Sequence, residues 1–113
     1  SVKAVVFTKA ISNNYRYLKI TAKTSKNSTY GTYYKTQFGI KSDTTFDEDA
    51  VPLNVIKRFY IINYSDSSKL TNYTSYTTFT LDLSSVTNSS YYIYLYNCDT
   101  TAYIQKIWLT NTA

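Results

Sequence analysis

Apolar and polar residues alternate along this chain with a period of two. Leu18, Ile20 and Ala22 alternate with Tyr17, Lys19 and Thr21, and Phe38 and Ile40 with Gln37, Gly39 and Lys41. Phe79, Leu81 and Leu83 alternate with Thr78, Thr80 and Asp82, and Ile93 and Leu95 with Tyr92, Tyr94 and Tyr96. Successive side chains of a strand point to opposite faces, so each run reads as a half-buried strand. The pattern predicts strands over residues 2–8, 15–23, 33–41, 55–64, 76–84, 90–97 and 102–110. β-Branched and aromatic residues fill these runs, as a pleated surface favours.

Polar clusters separate the strands: Ser12 to Asn14, Thr24 to Thr29, Ser42 to Thr45, Ser65 to Ser68, Thr87 to Ser90 and Asn97 to Thr101. Such side chains hydrogen-bond their own backbone and close turns, and Asn and Asp also accept left-handed positions. No segment sustains a 3.6-residue period. Asp47 to Arg58 comes nearest, with Val51, Val55 and Arg58 on one stripe, but Pro52 interrupts it and leaves room for a single helical turn. Seven or eight short strands in 113 residues predict one all-β domain, a two-sheet antiparallel β-sandwich of jelly-roll topology, with a small barrel as the alternative. An immunoglobulin domain is disfavoured, because its Cys–Trp–Cys framework is absent and Trp108 lies in the last strand.

Composition narrows the function more than the fold. Zero His removes His-based triads, two-His metal sites and the usual general base. One Cys removes intrachain disulfides and cysteine-rich zinc sites, and two isolated glycines make neither a P-loop nor a dinucleotide fingerprint. Cys98 adjoins Asn97 and Asp99 in a turn, with no His in the chain to activate it, and reads as incidental. These counts argue against most enzymes. No apolar run approaches the roughly 20 residues of a membrane span. The start of the chain reads as a domain excised from a longer protein or a mature secreted product. Four Asn-x-Ser/Thr sequences, at Asn27, Asn63, Asn72 and Asn88, are near what chance supplies in a chain with 18 Thr, 13 Ser and 9 Asn.

Residues 76–110 run from the strand ending Thr80 to Ser84 (TLDLS), through the Tyr-rich strand YYIYLYN, to a last strand YIQKIWL from Tyr103 to Leu109. This stretch, about a third of the chain, resembles the closing strands of jelly-roll carbohydrate-binding-module-like domains. Such domains occur in bacterial glycan-degrading enzymes and in phage tail, baseplate and fibre proteins. The resemblance implies a non-catalytic sugar-binding or cell-surface-binding module at an extracellular or virion surface. It implies a ligand on the concave sheet or on edge loops, and a structural calcium as a common companion. No ligand-contact motif of the family matches residue by residue, so fold and functional class carry over and site identities do not.

The candidate chemistry rests on aromatic side chains. With Ile93 and Leu95 facing the core, Tyr92, Tyr94 and Tyr96 form a row on the opposite face. Sugar rings stack on such phenols, and Tyr brings contact area at low entropic cost. The same row also reads as a second wall of the core or a cross-strand ladder. Tyr60, Tyr64, Gln37 and Lys35 join the candidate ligand-binding set, and Tyr15, Tyr17 and Tyr103 extend it if their strands neighbour it. Trp108 is a stacking platform or a core residue; Ile104, Ile107 and Leu109 break strict alternation, which points to a bulge and leaves its side open.

Asp43, Asp47, Glu48 and Asp49 cluster in one loop and offer oxygens for a structural Ca²⁺, without the spacing or Gly of an EF-hand; a solvated loop reads equally from the same residues. Glycosidic hydrolysis needs two carboxyls across a cleft, which this acid distribution does not suggest. Charge divides unevenly: residues 1–42 carry +8 and residues 43–113 carry −3. A basic half steers anionic partners, and Lys interleaved with Tyr is reminiscent of single-strand platforms on OB-folds. Only two of the twelve basic residues are Arg, which counts against phosphate recognition. The expectation is a module without catalysis that binds a polysaccharide or cell-surface glycan, attached to the rest of a parent protein. The alternatives are a structural β-sandwich of a phage tail or adhesin, and an OB-like nucleic-acid binder.

Overall fold

A computed structural model describes residues 2–25, 36–48, 51–61, 63–66, 69–71, 74–98 and 101–113. The strands are β1 (Val2–Val6), β2 (Ile11–Ser12), β3 (Tyr17–Thr24), β4 (Gln37–Lys41), β5 (Val55–Tyr60), β6 (Asn63–Asp66), β7 (Lys69–Thr71), β8 (Thr77–Asp82), β9 (Ser90–Cys98) and β10 (Ala102–Thr110). No helix occurs among the described residues.

Eight strands form two antiparallel sheets. One runs β1-β9-β4-β5, with β2 also pairing β9; the other runs β10-β3-β8. The strands β6 and β7 form a separate two-stranded ribbon. The sandwich predicted from alternation is therefore present, with two refinements. The strand expected over 55–64 breaks at Ile61 into β5 and β6, because Ile61 turns into the core at 1% exposure and its amide bonds the Thr36 carbonyl at 2.8 Å. The helical turn allowed after Asp47 is replaced by a bridge between Phe46 and Pro52, and Asn54 takes a positive φ of 57° immediately before β5.

The core lies between the sheets. Leu18, Ile20 and Ala22 of β3 and Phe79 and Leu81 of β8 face Phe38 and Ile40 of β4 and Tyr91 and Ile93 of β9. Each large aliphatic or aromatic side chain buried here contributes roughly 1.5–3 kcal/mol. The two lateral edges of the sandwich differ. At the β5/β8 edge, Phe59 stacks between Phe38 and Phe79 at 5.6 Å centroid spacing on each side, and Lys57 Nζ donates to the Asp82 carbonyl. That edge is closed. At the β1/β10 edge the sheets splay over two apolar cavities, of about 140 and 310 Å³. Val5, Ile104 and Leu95 line the first; Phe7, Ile11, Ile107 and Trp108 line the second.

Candidate functional site

The central strands of the larger sheet are buried on both faces. All five residues of β4 are buried, and so are Tyr91, Ile93, Tyr94 and Tyr96 of β9. The expected outward row of Tyr92, Tyr94 and Tyr96 is thus corrected: Tyr94 and Tyr96 are 0% and 2% exposed, and Tyr92 is half-buried. Tyr94 lies opposite Gly39, whose missing side chain makes room for its ring. Its hydroxyl donates to Gln37 Oε1 at 2.5 Å, and Arg58 Nη1 donates to the same oxygen at 3.3 Å. Burial pushes the Tyr94 phenol well above its ordinary pKa, with the Arg58 charge opposing. Gln37 is itself buried, so it too is corrected from a surface ligand contact to a partner of Tyr94. Tyr60, opposite Gln37, remains 41% exposed with the Arg58 guanidinium 6.0 Å from its ring centroid.

Other expected residues distribute elsewhere. Tyr64 is placed within β6, and its side chain lies outside the described residues. Lys35 and Asp49 also lie outside them. Asp43 accepts the Thr45 amide at 3.0 Å, the Thr45 hydroxyl at 2.7 Å and Asn54 Nδ2 at 2.5 Å, and it sits 3.6 Å from Lys41 Nζ. These donors, the Thr45 amide first, hold its carboxyl down to about 2. Asp47 accepts the Val51 amide at 2.8 Å, and Glu48 is exposed. The carboxylates of Asp43 and Asp47 thus organise their own loop. Among the described residues no three acids, His or Cys gather as a metal-binding group.

Among the described residues, an aromatic surface that remains open is the outer face of the smaller sheet. Its register fixes which side chains share it. A bulge between Ile104 and Lys106 sends Ile107 and Leu109 inward, opposite Ile20 and Leu18, and Trp108 outward, opposite Lys19. The question the broken alternation left open is thereby decided by one extra residue. Four cross-strand rows result: Tyr103–Lys23–Tyr76, Lys106–Thr21–Thr78, Trp108–Lys19–Thr80 and Thr110–Tyr17–Asp82. Rows two residues apart are about 7 Å from each other and strands about 4.8 Å, so the face measures roughly 10 by 20 Å.

On this face Tyr103 and Tyr76 are 47% and 46% exposed, and Trp108 is half-buried. Lys23 Nζ lies between the two tyrosines, 4.7 Å from the Tyr76 centroid and 5.4 Å from that of Tyr103. Lys106 Nζ lies 4.3 Å from the Trp108 ring centroid. Both are cation–π contacts. Thr21 and Thr78 hydroxyls share a hydrogen bond of 2.8 Å at the surface. Tyr76, the first residue of the strand expected over 76–84, is absent from the expected ligand set, because its pairing with Lys23 depends on a distant segment. The expected ligand set is therefore split: Trp108 belongs to this face, whereas Tyr60, Tyr92, Tyr94, Tyr96 and Gln37 belong to the other sheet.

Compared with protein-family models, with curated proteins and with solved structures, the chain has no match. Fold and surface together define an all-β sandwich whose smaller sheet carries aromatics, lysines and threonines on its outer face.

Proposed function

We propose that this domain is a non-catalytic carbohydrate-binding module that takes its ligand on the outer face of the β10-β3-β8 sheet. The observation that carries the reading is the set Trp108, Tyr103 and Tyr76, the tyrosines exposed and Trp108 half-buried, on one sheet face and interleaved with Thr21, Thr78, Thr80 and Thr110. Pyranose rings stack their C–H faces on such aromatics, and their hydroxyls exchange hydrogen bonds with Thr. Tyr and Trp supply this contact area with few rotatable bonds to freeze. A single open face binds weakly, so useful avidity comes from several copies on one surface protein or virion. Binding of the isolated domain to a glycan array tests the reading. Wild type binds at least one glycan, and Trp108→Ala and Tyr103→Ala each lower that binding several-fold while the domain stays folded. Absence of any glycan binding at high loading sinks the proposal.

A second reading, a structural sandwich without sugar binding, draws on the splayed β1/β10 edge. Val5, Phe7 and Ile104 are 51%, 42% and 41% exposed there, beside the two apolar cavities. Apolar clusters of this kind mark contact surfaces. If this reading holds, Phe7→Glu with Ile104→Glu raises solubility or abolishes association in sedimentation experiments, and glycan arrays stay blank.

A further inference from the structure

We infer that the β10-β3-β8 face selects acidic polysaccharides, whose carboxylate or phosphate groups meet Lys19, Lys23 and Lys106 between the stacking rings. This rests on the carbohydrate-binding reading above and adds the charge of the ligand. Each platform has an ammonium on it: Lys23 bridges Tyr76 and Tyr103, and Lys106 covers Trp108. Among the described residues the ion pair found is Lys41 with Asp43, far from this face in sequence and sheet, so these three lysines have no carboxylate partner there. Among the described residues the face has one acid, Asp82, in the end row beside Tyr17. Its carboxylate accepts the Ser84 amide at 2.8 Å. What remains is a positive track along the strands. Lys19 and Lys23 are four residues apart on β3, about 13–14 Å, with Lys106 beside the intervening row.

Two features favour an acidic sugar chain over a nucleic acid. The cations between the stacking rings, Lys19, Lys23 and Lys106, are compact point charges without the planar fork that grips phosphates in pairs and stacks on bases; the guanidinium at the face, Arg16, lies at its end row, 5.3 Å from the Tyr17 ring centroid. The spaces between the rings are filled by Thr hydroxyls, which suit a hydroxyl-rich chain. A lysine already held against an aromatic ring also has less rotamer freedom to lose on meeting an anion.

The test is binding of the 113-residue domain to polygalacturonate and hyaluronan, each beside its carboxyl-reduced form. A glycerol-phosphate teichoic acid serves as the phosphate arm and oligo-dT as the nucleic-acid arm. The expected result is acidic forms bound at least about tenfold more tightly than the neutral ones, with binding weakened as salt rises from about 50 to 300 mM. The triple variant Lys19→Gln, Lys23→Gln, Lys106→Gln loses that preference, and Arg58→Gln, on the other sheet, keeps it. Carboxylate and teichoic-acid arms tell which anion is preferred. Equal binding of acidic and neutral forms, or an unaffected triple variant, overturns the inference while leaving the carbohydrate reading standing. No binding to any saccharide removes both, and oligo-dT bound as tightly as the best polysaccharide overturns the sugar class.

Discussion

The Tyr94 ring lies across Gly39 of the neighbouring strand: its Cε1 stands 3.0 Å from the point a Cβ on Gly39 would occupy. That same Cβ would stand 2.9 Å from the Arg58 Cα and fall on the Lys57 carbonyl oxygen. An aromatic over a strand glycine is a known way to fill its missing side chain. Gly39→Ala is therefore an overpacking change against backbone that cannot swing away. A loss of about 1–3 kcal/mol is expected, read as a fall in thermal midpoint. A variant as stable as wild type would show that Tyr94 and β5 yield more easily than this packing implies.

Tyr91 and Tyr94 are both fully buried, yet their hydroxyls differ. The Tyr94 hydroxyl donates to Gln37, whereas the Tyr91 hydroxyl has no hydrogen-bond partner among the described residues. Tyr94→Phe removes a buried bond and is expected to cost about 1 kcal/mol. Tyr91→Phe removes an unsatisfied polar group and is expected to be neutral or stabilising. Urea unfolding of both variants checks the contrast; equal losses would refute it.

Acid stability follows Asp43. Its carboxyl is held at about 2 in the folded protein by Thr45, Asn54 and Lys41, below the ordinary value near 4 of the unfolded chain. The unfolded state then binds more protons across this window, so stability rises with pH there. The contribution is present above the unfolded value and is lost as pH falls from about 4 through about 2. Asp82, held low by Ser84, acts in the same direction. Asp43→Asn is expected to flatten part of this slope in unfolding midpoints measured against pH. An unchanged slope would remove Asp43 from the account.

Trp108 is the single tryptophan of the chain and stands at the proposed face, half-buried under the Lys106 ammonium. Its emission is thus a direct reporter. Bound glycan is expected to shift the spectrum to the blue, and Lys106→Gln to change the unliganded spectrum without unfolding the domain. A ligand that binds without touching the Trp108 signal would place the site elsewhere.

Expectation and structure part company at particular residues. The alternation in β3 was legible at once: Tyr17 to Thr24 is half-buried and buried in strict turn. The same alternation in β4 and β9 misled, because Gln37, Lys41, Tyr94 and Tyr96 are polar or amphipathic yet buried. Lys41 is enclosed by Phe46, Asp43 and the Leu53 carbonyl, which come from the following loop. Burial lowers its pKa, partly offset by Asp43. Nothing within a strand announces that its second face will be covered.

By itself the sequence determined that the chain is all-β, where most strands run, and that histidine-based chemistry and intrachain disulfides are absent. Those follow from local rules: side chains alternate along any strand, polar clusters turn the chain, and a residue type that is missing performs no chemistry. Tertiary structure decided which tyrosines are wall and which are window. Tyr94 and Tyr96 became wall because β4 and its glycine lie beside them, and Trp108 turned outward because one residue bulges in β10. The row Tyr103–Lys23–Tyr76 joins three distant parts of the chain. Its existence depends on strand register, a property of pairs of strands that a one-residue slip would reverse.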